Sequence, residues 1–447
     1  MRVCRPVCRP SLPAISTETG FMLKLFARGV AACLIYIALA PPGLSQAPVS
    51  AGDRAIALPD AVVRALERSP SLRARGFEIT AAEGRLLQST FRPSPEVSLL
   101  VHDVLGTGAY NGVQSAETTA SLSWMFERGL RERIVEVARS RIDVSAVEVE
   151  IAQLDVAAQT ARLFIDCALF QERYRNAEFG LERARDAVTA VRRRVETSRA
   201  REAELARAEA ELARAELRLD DFAHELLSAY HRLSAQWGQP EPDFDSVMMD
   251  LAQTPVVEPF DSLLERVAQN PDLALYVSES RVAEAELSLA RARARTSWTV
   301  SGGLRRNEAS DDWALIGGVT IPLRMGNQNQ GEIAATRANL DRLEAAAEAE
   351  RVYIETELFV LYQELVHNVE LAEGLESEVE PRIEGALADT RRAYELGSTS
   401  YLEFRAVQTE LLEVAYEILD AQANARRLAI EIERLTGESL AVEPMAE

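Results

Sequence analysis

Residue types that commonly do chemistry are sparse in this chain of 447 residues. His224 and His231 lie seven positions apart on one predicted helical face with Asp220 nearby, a spacing that could mimic a metal site. However, the seven-residue hydrophobic repeat of that helix puts both imidazoles on its outward side, which favours a solvated surface. The other histidines, His102 and His367, lie far away in the sequence, and no cluster has zinc or copper ligand spacing. The sequence therefore predicts no metal site and no cofactor.

Patterns typical of catalysis do not occur either. Paired aspartates at residues 220–221 and 311–312 fall on predicted exposed helix or loop positions, where general acid–base chemistry is not expected. The Gly-Gly pairs at residues 302–303 and 317–318 lie in predicted strands rather than before a helix, so they do not suit a phosphate-binding loop. The serines, histidines and aspartates match no nucleophile motif. We therefore expect that the protein is not an enzyme.

Charge and composition exclude two further classes of protein. Asp and Glu number 70 against 49 for Lys and Arg, a formal net charge of −21, whereas a nucleic-acid-binding protein needs a basic stripe. The apolar fraction of 47% is too high for a disordered acidic chain. The length suggests about two or three folded units.

The N-terminus has the features of a secretory signal peptide. Residues 29–40 (GVAACLIYIALA) form an apolar run that follows two basic residues, and Ser45-Gln46-Ala47 fits the small-x-small pattern of a cleavage site. The run is too short to span a bilayer well. We predict a signal peptide over residues 1–47, with Met22 as an alternative start because the segment before it resembles no signal.

Cleavage would change both the charge and the cysteine content. It removes five basic residues and one acidic residue, which takes the net charge from −21 to −25. Cys33 lies in a lipoprotein-like box, but the apolar run mostly follows it, which disfavours lipidation. Cys167 then remains alone and cannot form an internal disulfide. The mature chain has no run of 18 apolar residues, so any membrane crossing must use strands.

The mature sequence repeats itself. Residues 65–72 (ALERSPSL) are echoed by residues 266–273 (RVAQNPDL), an offset of 201, and two further correspondences have offsets of 197 and 199. Similar offsets at three places predict an internal duplication. The predicted parts of the mature chain are a first repeat (48–240), a Pro-rich linker (241–258), a second repeat (259–438) and a short tail (439–447).

Each repeat contains two strand-like stretches in which apolar side chains alternate with serine or threonine. The predicted strands are residues 96–105, 118–126, 296–305 and 312–323. Four strands cannot close a barrel, and a lone sheet leaves its edges open. Two chains would give eight strands and three would give twelve. The alternative is that two small hairpins pack on a helical body.

The rest of each repeat is predicted to be helical. Two very long helices are predicted over residues 129–195 and 328–394, each roughly 100 Å long at about 1.5 Å per residue. Pro381 marks a kink or short break in the second of them. A final helix follows each after a short turn. In the first of these final helices leucine recurs every seven residues from Leu205 to Leu233, which indicates coiled-coil packing.

The turn before the last helix carries the most specific local pattern. Residues 394–403 (YELGSTSYLE) have an aromatic residue, a glycine three positions later and an acid six positions after the glycine. This segment resembles the helix-turn-helix tip of the TolC-like outer-membrane factor family, and the resemblance covers nearly all of the mature chain. The first repeat keeps the acid as Glu204 but has Ser198 for the glycine and Val195 for the aromatic residue.

The resemblance implies a fold and a set of partners. It implies a mostly α chain that contributes four strands to a trimeric 12-stranded transmembrane β-barrel in outer-membrane lipid, joined to a long periplasmic α-helical barrel of coiled-coil helices. The implied partners are the other copies of a homotrimer, a periplasmic adaptor (membrane fusion) protein and an inner-membrane transporter of the RND class, with no nucleic acid. The implied location is the cell outer membrane with a periplasmic extension, in a Gram-negative type of envelope.

The resemblance also implies the site residues. Contact with the adaptor is expected at the periplasmic tips, through Tyr394, Gly397, Ser398, Ser198 and Val195. Glu403 and Glu204 are expected near the constricted aperture, where acids would favour cations. Ala406 stands where the family often has a second acid, so a double ring is not expected. The alternative role of Glu403 is that of a solvated acid favoured by a helix dipole.

Together these observations predict the outer-membrane channel subunit of a tripartite efflux system, which passively conducts small molecules or metal ions. The exit duct of a type I protein secretion system has the same architecture and is one alternative. A periplasmic adaptor has a single coiled-coil hairpin between β-rich domains, whereas this chain has two hairpin sets and few strands. A structural coiled-coil protein that crosses no membrane is the last alternative.

Overall fold

The computed structural model describes residues 54–322, 326 and 328–437. The predicted signal peptide, the predicted C-terminal tail from residue 439 and the end of the fourth predicted strand, Leu323, lie outside the described residues. Most of the described chain is helical, as the sequence predicts. Within these ranges no helix combines the length and the apolar composition needed to cross a membrane.

The elements occur in the same order in the two halves of the described chain. The first half contains β1 (Ala55–Ala57), α1 (Leu58–Arg68), α2 (Pro70–Thr90), β2 (Glu96–His102), β3 (Glu117–Phe126), α3 (Leu130–Glu196), α4 (Glu202–Ser234) and β4 (Ser246–Met248). The second half contains α5 (Phe260–Arg266), α6 (Pro271–Arg293), β5 (Trp298–Asn307), β6 (Asp312–Thr320), α7 (Gln330–Gly374), α8 (Glu380–Leu396) and α9 (Tyr401–Thr436). Each half thus has a helix, a β-hairpin, a long helical column and a final helix.

The four predicted strands form one antiparallel sheet in the order β2-β3-β5-β6. Their bounds differ from the prediction by a few residues at several ends; β5, for example, begins at Trp298 and ends at Asn307 rather than spanning 296–305. The two hairpins join through β3 and β5, where Phe126 lies opposite Trp298. Strands β2 and β6 are therefore the edges of the sheet, and neither has a second neighbour within the described chain.

A second, smaller sheet is absent from the sequence prediction. Strands β1 and β4 pair in parallel, with Ile56 opposite Val247. Both side chains are buried in the largest core cluster beside Phe164 of α3. Strand β4 lies inside the segment predicted as a Pro-rich linker, so part of that segment packs as structure against the middle of the long helix. Three-residue strands are too short to show a period, which explains why sequence patterns miss them.

The long helices have the predicted lengths. Helix α3 has 67 residues, roughly 100 Å at about 1.5 Å per residue. Helices α7 and α8 continue one another through a π-helical turn at Leu375–Val379, immediately before Pro381. Proline has no N–H to donate to a carbonyl one turn earlier, and this local change of winding is the break that Pro381 predicts.

Helices from the two halves are joined by a ladder of ion pairs. Helix α3 belongs to the first half and α9 to the second, and their charges alternate so that each arginine meets an acid. The pairs are Asp155–Arg434 at 2.7 Å, Arg162–Glu431, Asp166–Arg427 at 2.6 Å and Arg173–Asp420. All but Asp155 and Asp420 have side chains less than about a third exposed. The ladder fixes the register of α9 against α3.

Candidate functional site at the hairpin tips and the sheet

Two tight turns connect the helices at the tips. Helix α8 ends at Gly397, which has φ +79° and whose N–H donates to the Tyr394 carbonyl at 3.0 Å. At the corresponding place after α3, Ser198 has φ +57° and donates to the Val195 carbonyl at 2.9 Å. Glycine adopts this left-handed conformation without a steric cost, whereas serine adopts it with strain. The turn geometry is the same, which explains how the first tip tolerates the missing glycine.

The tips pack against each other through an aromatic cluster. The Tyr394 ring stacks on Phe404 with centroids 5.5 Å apart and lies 5.9 Å from Tyr401. Val191 of α3 is buried in the same cluster, and Val195 packs at its margin. Tyr394 is only 6% exposed, which differs from the expectation that its side chain contacts a partner. The sequence does not reveal this because the burial arises where α8 and α9 of the second half pack against α3 and α4 of the first half.

Arg194 is a tip residue that the sequence analysis does not identify. Its guanidinium carbon lies 4.2 Å from the centre of the Tyr394 ring. One guanidinium N–H also donates to the Tyr394 backbone carbonyl. Arg194 therefore ties the first tip to the second by a cation–π contact and a hydrogen bond. The only signal in the sequence is a run of three arginines, Arg192 to Arg194, which does not indicate a contact 200 positions away.

Burial also affects the protonation of the cluster. Desolvation raises the pKa of Tyr394, although the nearby Arg194 charge opposes this effect. Desolvation likewise raises the pKa of Tyr401, with Arg405 opposing it. Neither hydroxyl has a hydrogen-bond partner within the described part of the chain. Both phenols are therefore neutral at physiological pH, and they serve packing rather than proton transfer.

Glu403 lies in the first turn of α9, whose N-cap is Ser400. The Ser400 side-chain oxygen accepts a hydrogen bond from the Glu403 N–H at 3.2 Å, and the Thr399 hydroxyl donates to the Glu403 carboxylate. An acid three residues after a serine N-cap is the capping-box pattern, and the helix dipole favours its charge. The Glu403 side chain is exposed to solvent. Glu403 therefore has a local structural role as well as a candidate place at an aperture.

Glu204 occupies a different environment. It lies in the first turn of α4 and is half-buried. Its charge contributes to the raised pKa of both Tyr394 and Tyr401, which places its carboxylate beside the aromatic cluster of the same chain. The two predicted aperture acids are thus not equivalent in their surroundings.

Ser398 lies on the exposed turn, where its hydroxyl donates to the Ala393 carbonyl at 3.0 Å.

The two tips also differ in charge. On the second tip, exposed Arg391 and Arg392 pair with Glu395 at 3.3 Å and Asp389 at 3.6 Å. On the first tip, Arg193, Arg199 and Arg201 are exposed, and none has an ion-pair partner among the described residues. The first tip therefore presents free positive charge, although the chain as a whole is strongly acidic.

The sheet has one apolar face and one polar face. Because alternate side chains of a strand point to opposite faces, the register assigns each residue to one of them. The apolar face exposes Val97, Leu99, Val101, Trp124, Phe126, Trp298, Leu304, Trp313, Leu315 and Val319. The polar face carries Ser98, Thr119, Ser121, Ser123, Thr299, Ser301 and Arg305. Tryptophan lies near both ends of the apolar face, as is typical of strands at membrane interfaces.

The geometry of the described residues offers no site for a resident metal ion. No group of three or more His, Cys, Asp or Glu side chains in this part of the chain is arranged to hold one. His224 and His231 are both exposed, and one ring nitrogen of His231 lies 2.7 Å from the Pro240 carbonyl oxygen. The exposure of both histidines agrees with the outward position that the heptad register gives them.

Comparisons with known proteins extend these observations. The sequence model of the outer membrane efflux protein family matches residues 61–239. The cobalt-zinc-cadmium resistance protein CzcC of Cupriavidus metallidurans is 26% identical over 406 residues, which cover 90% of this chain and 95% of that protein. The outer membrane protein VceC of Vibrio cholerae superposes with a TM-score of 0.69 at 18% identity, covering 86% of this chain and 96% of that one. The MtrE outer membrane channel of Neisseria gonorrhoeae gives 0.69 at 17% identity, with coverage of 86% and 89%.

Proposed function

Because this chain belongs to the outer membrane efflux protein family, we propose that it is the channel subunit of a tripartite efflux system that exports divalent metal ions. As an outer membrane efflux protein, it is located in the cell outer membrane and extends into the periplasm. Its role is passive conduction, with the energy supplied by an inner-membrane transporter of the RND class through a periplasmic adaptor.

The observation that carries the proposal is the open, two-faced sheet. An apolar face with tryptophans near both ends suits lipid, and the polar face suits a water-filled lumen. Edges β2 and β6 leave backbone donors and acceptors unpaired, which lipid cannot satisfy. Joining β6 of one copy to β2 of the next closes the sheet without edges. Three copies give twelve strands, and we propose this homotrimer as the working channel.

Metal ions are proposed as the substrate class on two grounds. One relative, which covers 90% of the chain, is named for resistance to cobalt, zinc and cadmium. The chain itself carries a net charge of −21 before any cleavage, so a lumen lined by its helices would concentrate cations over anions. A duct of this kind needs no tight metal site, which agrees with the dispersed acids of the described residues.

The tips are the proposed contact with the adaptor. Ser198, Gly397 and Ser398 lie at exposed or half-exposed turns at the ends of long helices, where a second helical hairpin can meet them. Tyr394 and Val195 support these turns from inside the aromatic cluster. The unpaired arginines of the first tip favour an acidic segment on the partner. Glu403 and Glu204 are the proposed acids of the aperture.

The proposal is tested with the purified protein in planar lipid bilayers. We expect a complex of three chains that resists SDS and dissociates on heating, and single-channel currents that favour cations over anions. In the same recordings, Glu403→Lys should lower the preference for cations if this carboxylate lines the aperture. A monomer that needs no detergent and gives no current would contradict the proposal.

The substrate class needs a separate measurement in the native host. A strain that lacks the gene should lose tolerance to cobalt, zinc or cadmium, and a plasmid copy should restore it. Unchanged metal tolerance together with loss of a secreted protein would instead support the exit duct of a protein secretion system.

A further inference from the structure

A polar cavity of about 420 Å³ lies where the antiparallel sheet meets the helices. It is lined by residues that leave β3, including Glu127 and Arg128, and by residues that lead into β5, including Arg293, Arg295 and Ser297. Three of these five side chains end in a positively charged guanidinium group. Two residues that precede α7, at positions 328 and 329, complete the lining. The cavity is far from the tips and has no part in the contacts described there.

The register of the sheet places this cavity at the end of the apolar face. Phe126 and Trp298 lie opposite each other in the β3–β5 pair, on the apolar face, and are 56% and 47% exposed. Arg128 follows Phe126 by two positions, and Ser297 precedes Trp298 by one. Aromatic side chains next to basic ones mark the boundary between acyl chains and headgroups in membrane proteins. The cavity therefore lies at the depth of the phospholipid headgroups.

The apolar face next to the cavity is formed by the two central strands of the sheet. Neighbouring copies would meet at the edge strands β2 and β6, whereas β3 and β5 are the two central strands. A second copy of the chain would therefore leave this part of the apolar face in contact with lipid.

The charge of the cavity suits an anion. Arg128 and Arg295 are exposed, and neither has an ion-pair partner among the described residues. Both line the cavity, and one terminal guanidinium nitrogen of Arg295 lies 3.8 Å from the place where a Cβ on Gly129, the residue after Arg128, would be. A planar guanidinium group presents paired N–H donors that match the oxygens of a phosphate. Glu127 is the one acid that lines the cavity in the described residues.

We propose that this cavity binds the phosphate of an anionic phospholipid in the periplasmic leaflet of the outer membrane. Arg128 and Arg295 hold the phosphate, and the acyl chains lie along Phe126 and Trp298 on the apolar face. The inference rests on the proposed function, since it requires that the sheet span the membrane. Each subunit would carry one such site, and bound lipid would fix the depth of the sheet in the bilayer.

The test compares the stability of the reconstituted protein in two lipids. Nanodiscs of phosphatidylglycerol and of phosphatidylcholine are used, and heat unfolding of the helices is followed by circular dichroism. A ligand that binds only the folded state raises the unfolding midpoint. We expect the midpoint in phosphatidylglycerol to be higher by about 5 °C or more. The double variant Arg128→Gln with Arg295→Gln should lose at least half of that difference.

A matched control separates the cavity from general charge effects. Arg139 is an exposed residue of α3, the helix that begins just after Arg128. It lies nine residues beyond Leu130 and so about 14 Å from the start of that helix. Arg139→Gln should keep the full difference between the two lipids. If the double variant also keeps it, the inference is wrong. If millimolar inorganic phosphate in phosphatidylcholine nanodiscs reproduces the effect, the cavity is a site for free anions and the lipid assignment is overturned.

Bilayer recordings distinguish this result from failure of the proposed function. Wild-type channels that conduct ions but show no difference between the lipids would remove only the lipid site. A wild-type protein that never conducts would contradict the proposed channel whatever the lipids do to its stability.

Discussion

Arg194 of the first tip contacts Tyr394 of the second tip in two ways, through the aromatic ring and through the backbone carbonyl. Its guanidinium group lies over the ring of Tyr394, which is 6% exposed. A cation–π contact shielded from water in this way contributes about 1–2 kcal/mol. The tyrosine hydroxyls add no hydrogen bond within the described residues. The tips are held by packing, by this cation and by the ion pair of Arg405 with Glu211 at 3.0 Å. The two tips of one chain should therefore move together.

Loss of this cation should loosen the tips. In Arg194→Gln, we expect the amides of the turn that contains Gly397 to exchange with deuterium about tenfold faster, which corresponds to about 1.4 kcal/mol of local stability. Hydrogen exchange with mass spectrometry measures this on the reconstituted protein. The matched control is Arg193→Gln, since Arg193 is the exposed neighbour of Arg194. Equal exchange in the two variants would show that the contact does not stabilise the tip.

The close packing of β5 against β3 depends on Gly303. A Cβ on Gly303 would lie 2.3 Å from the Ala120 carbonyl oxygen and 2.8 Å from the Ser121 Cα, both in the backbone of β3. A Cβ on the preceding Gly302 would meet nothing within 4 Å. The central β3–β5 pair can therefore be this close only because residue 303 has no side chain.

Two alanine variants separate these neighbouring glycines. Gly303→Ala should destabilise the sheet by about 1–3 kcal/mol, because backbone atoms of β3 must move away. Gly302→Ala should change stability by less than about 0.5 kcal/mol. The midpoint of heat dissociation of the SDS-resistant complex compares the two. If the two variants have similar dissociation midpoints, β3 and β5 can move apart to admit a methyl group at residue 303 without loss of stability.

Sequence patterns predict the elements of this fold better than the contacts between its halves. The lack of proline over residues 129–195, and over residues 328–394 apart from Pro381, predicts the long helices. The heptad of leucines predicts the packing of the final helix, and strict alternation predicts the hairpins. The pairing of β1 with β4 is missed because three residues show no period. The contact of Arg194 with Tyr394 is missed because the two residues lie 200 positions apart. Such contacts follow from how the two halves pack, which no local pattern encodes.

At the scale of the whole molecule, the two halves are held together by charge as well as by a core. The ladder between α3 and α9 crosses from the first half to the second at four levels. Asp166 and Arg427 in its centre are 32% and 29% exposed. Such half-buried pairs are screened less by salt than pairs on the surface. The ladder should therefore set how α9 is aligned on α3 even at physiological ionic strength.

A double-mutant cycle measures the central pair of this ladder. Asp166→Asn and Arg427→Gln should each destabilise the protein, and their coupling energy should be about 0.5–1 kcal/mol. The control is the pair Glu378–Arg382, whose side chains are 68% and 72% exposed and whose coupling should be near zero. Heat unfolding followed by circular dichroism gives both values. Equal coupling in the two cycles would mean that the ladder adds no more than surface pairs do.

The open edges of the sheet also make the assembly of the channel depend on the concentration of chains. In the described sheet, β2 and β6 each have one unpaired edge, and such an edge can pair with any complementary edge it meets. Closure of a ring must therefore compete with growth of an open, aggregating sheet. Because no chain can satisfy its own edges, the rate of channel formation should rise more steeply than linearly with the concentration of exported chains. The cell must either keep the edges covered during transit or deliver several copies together.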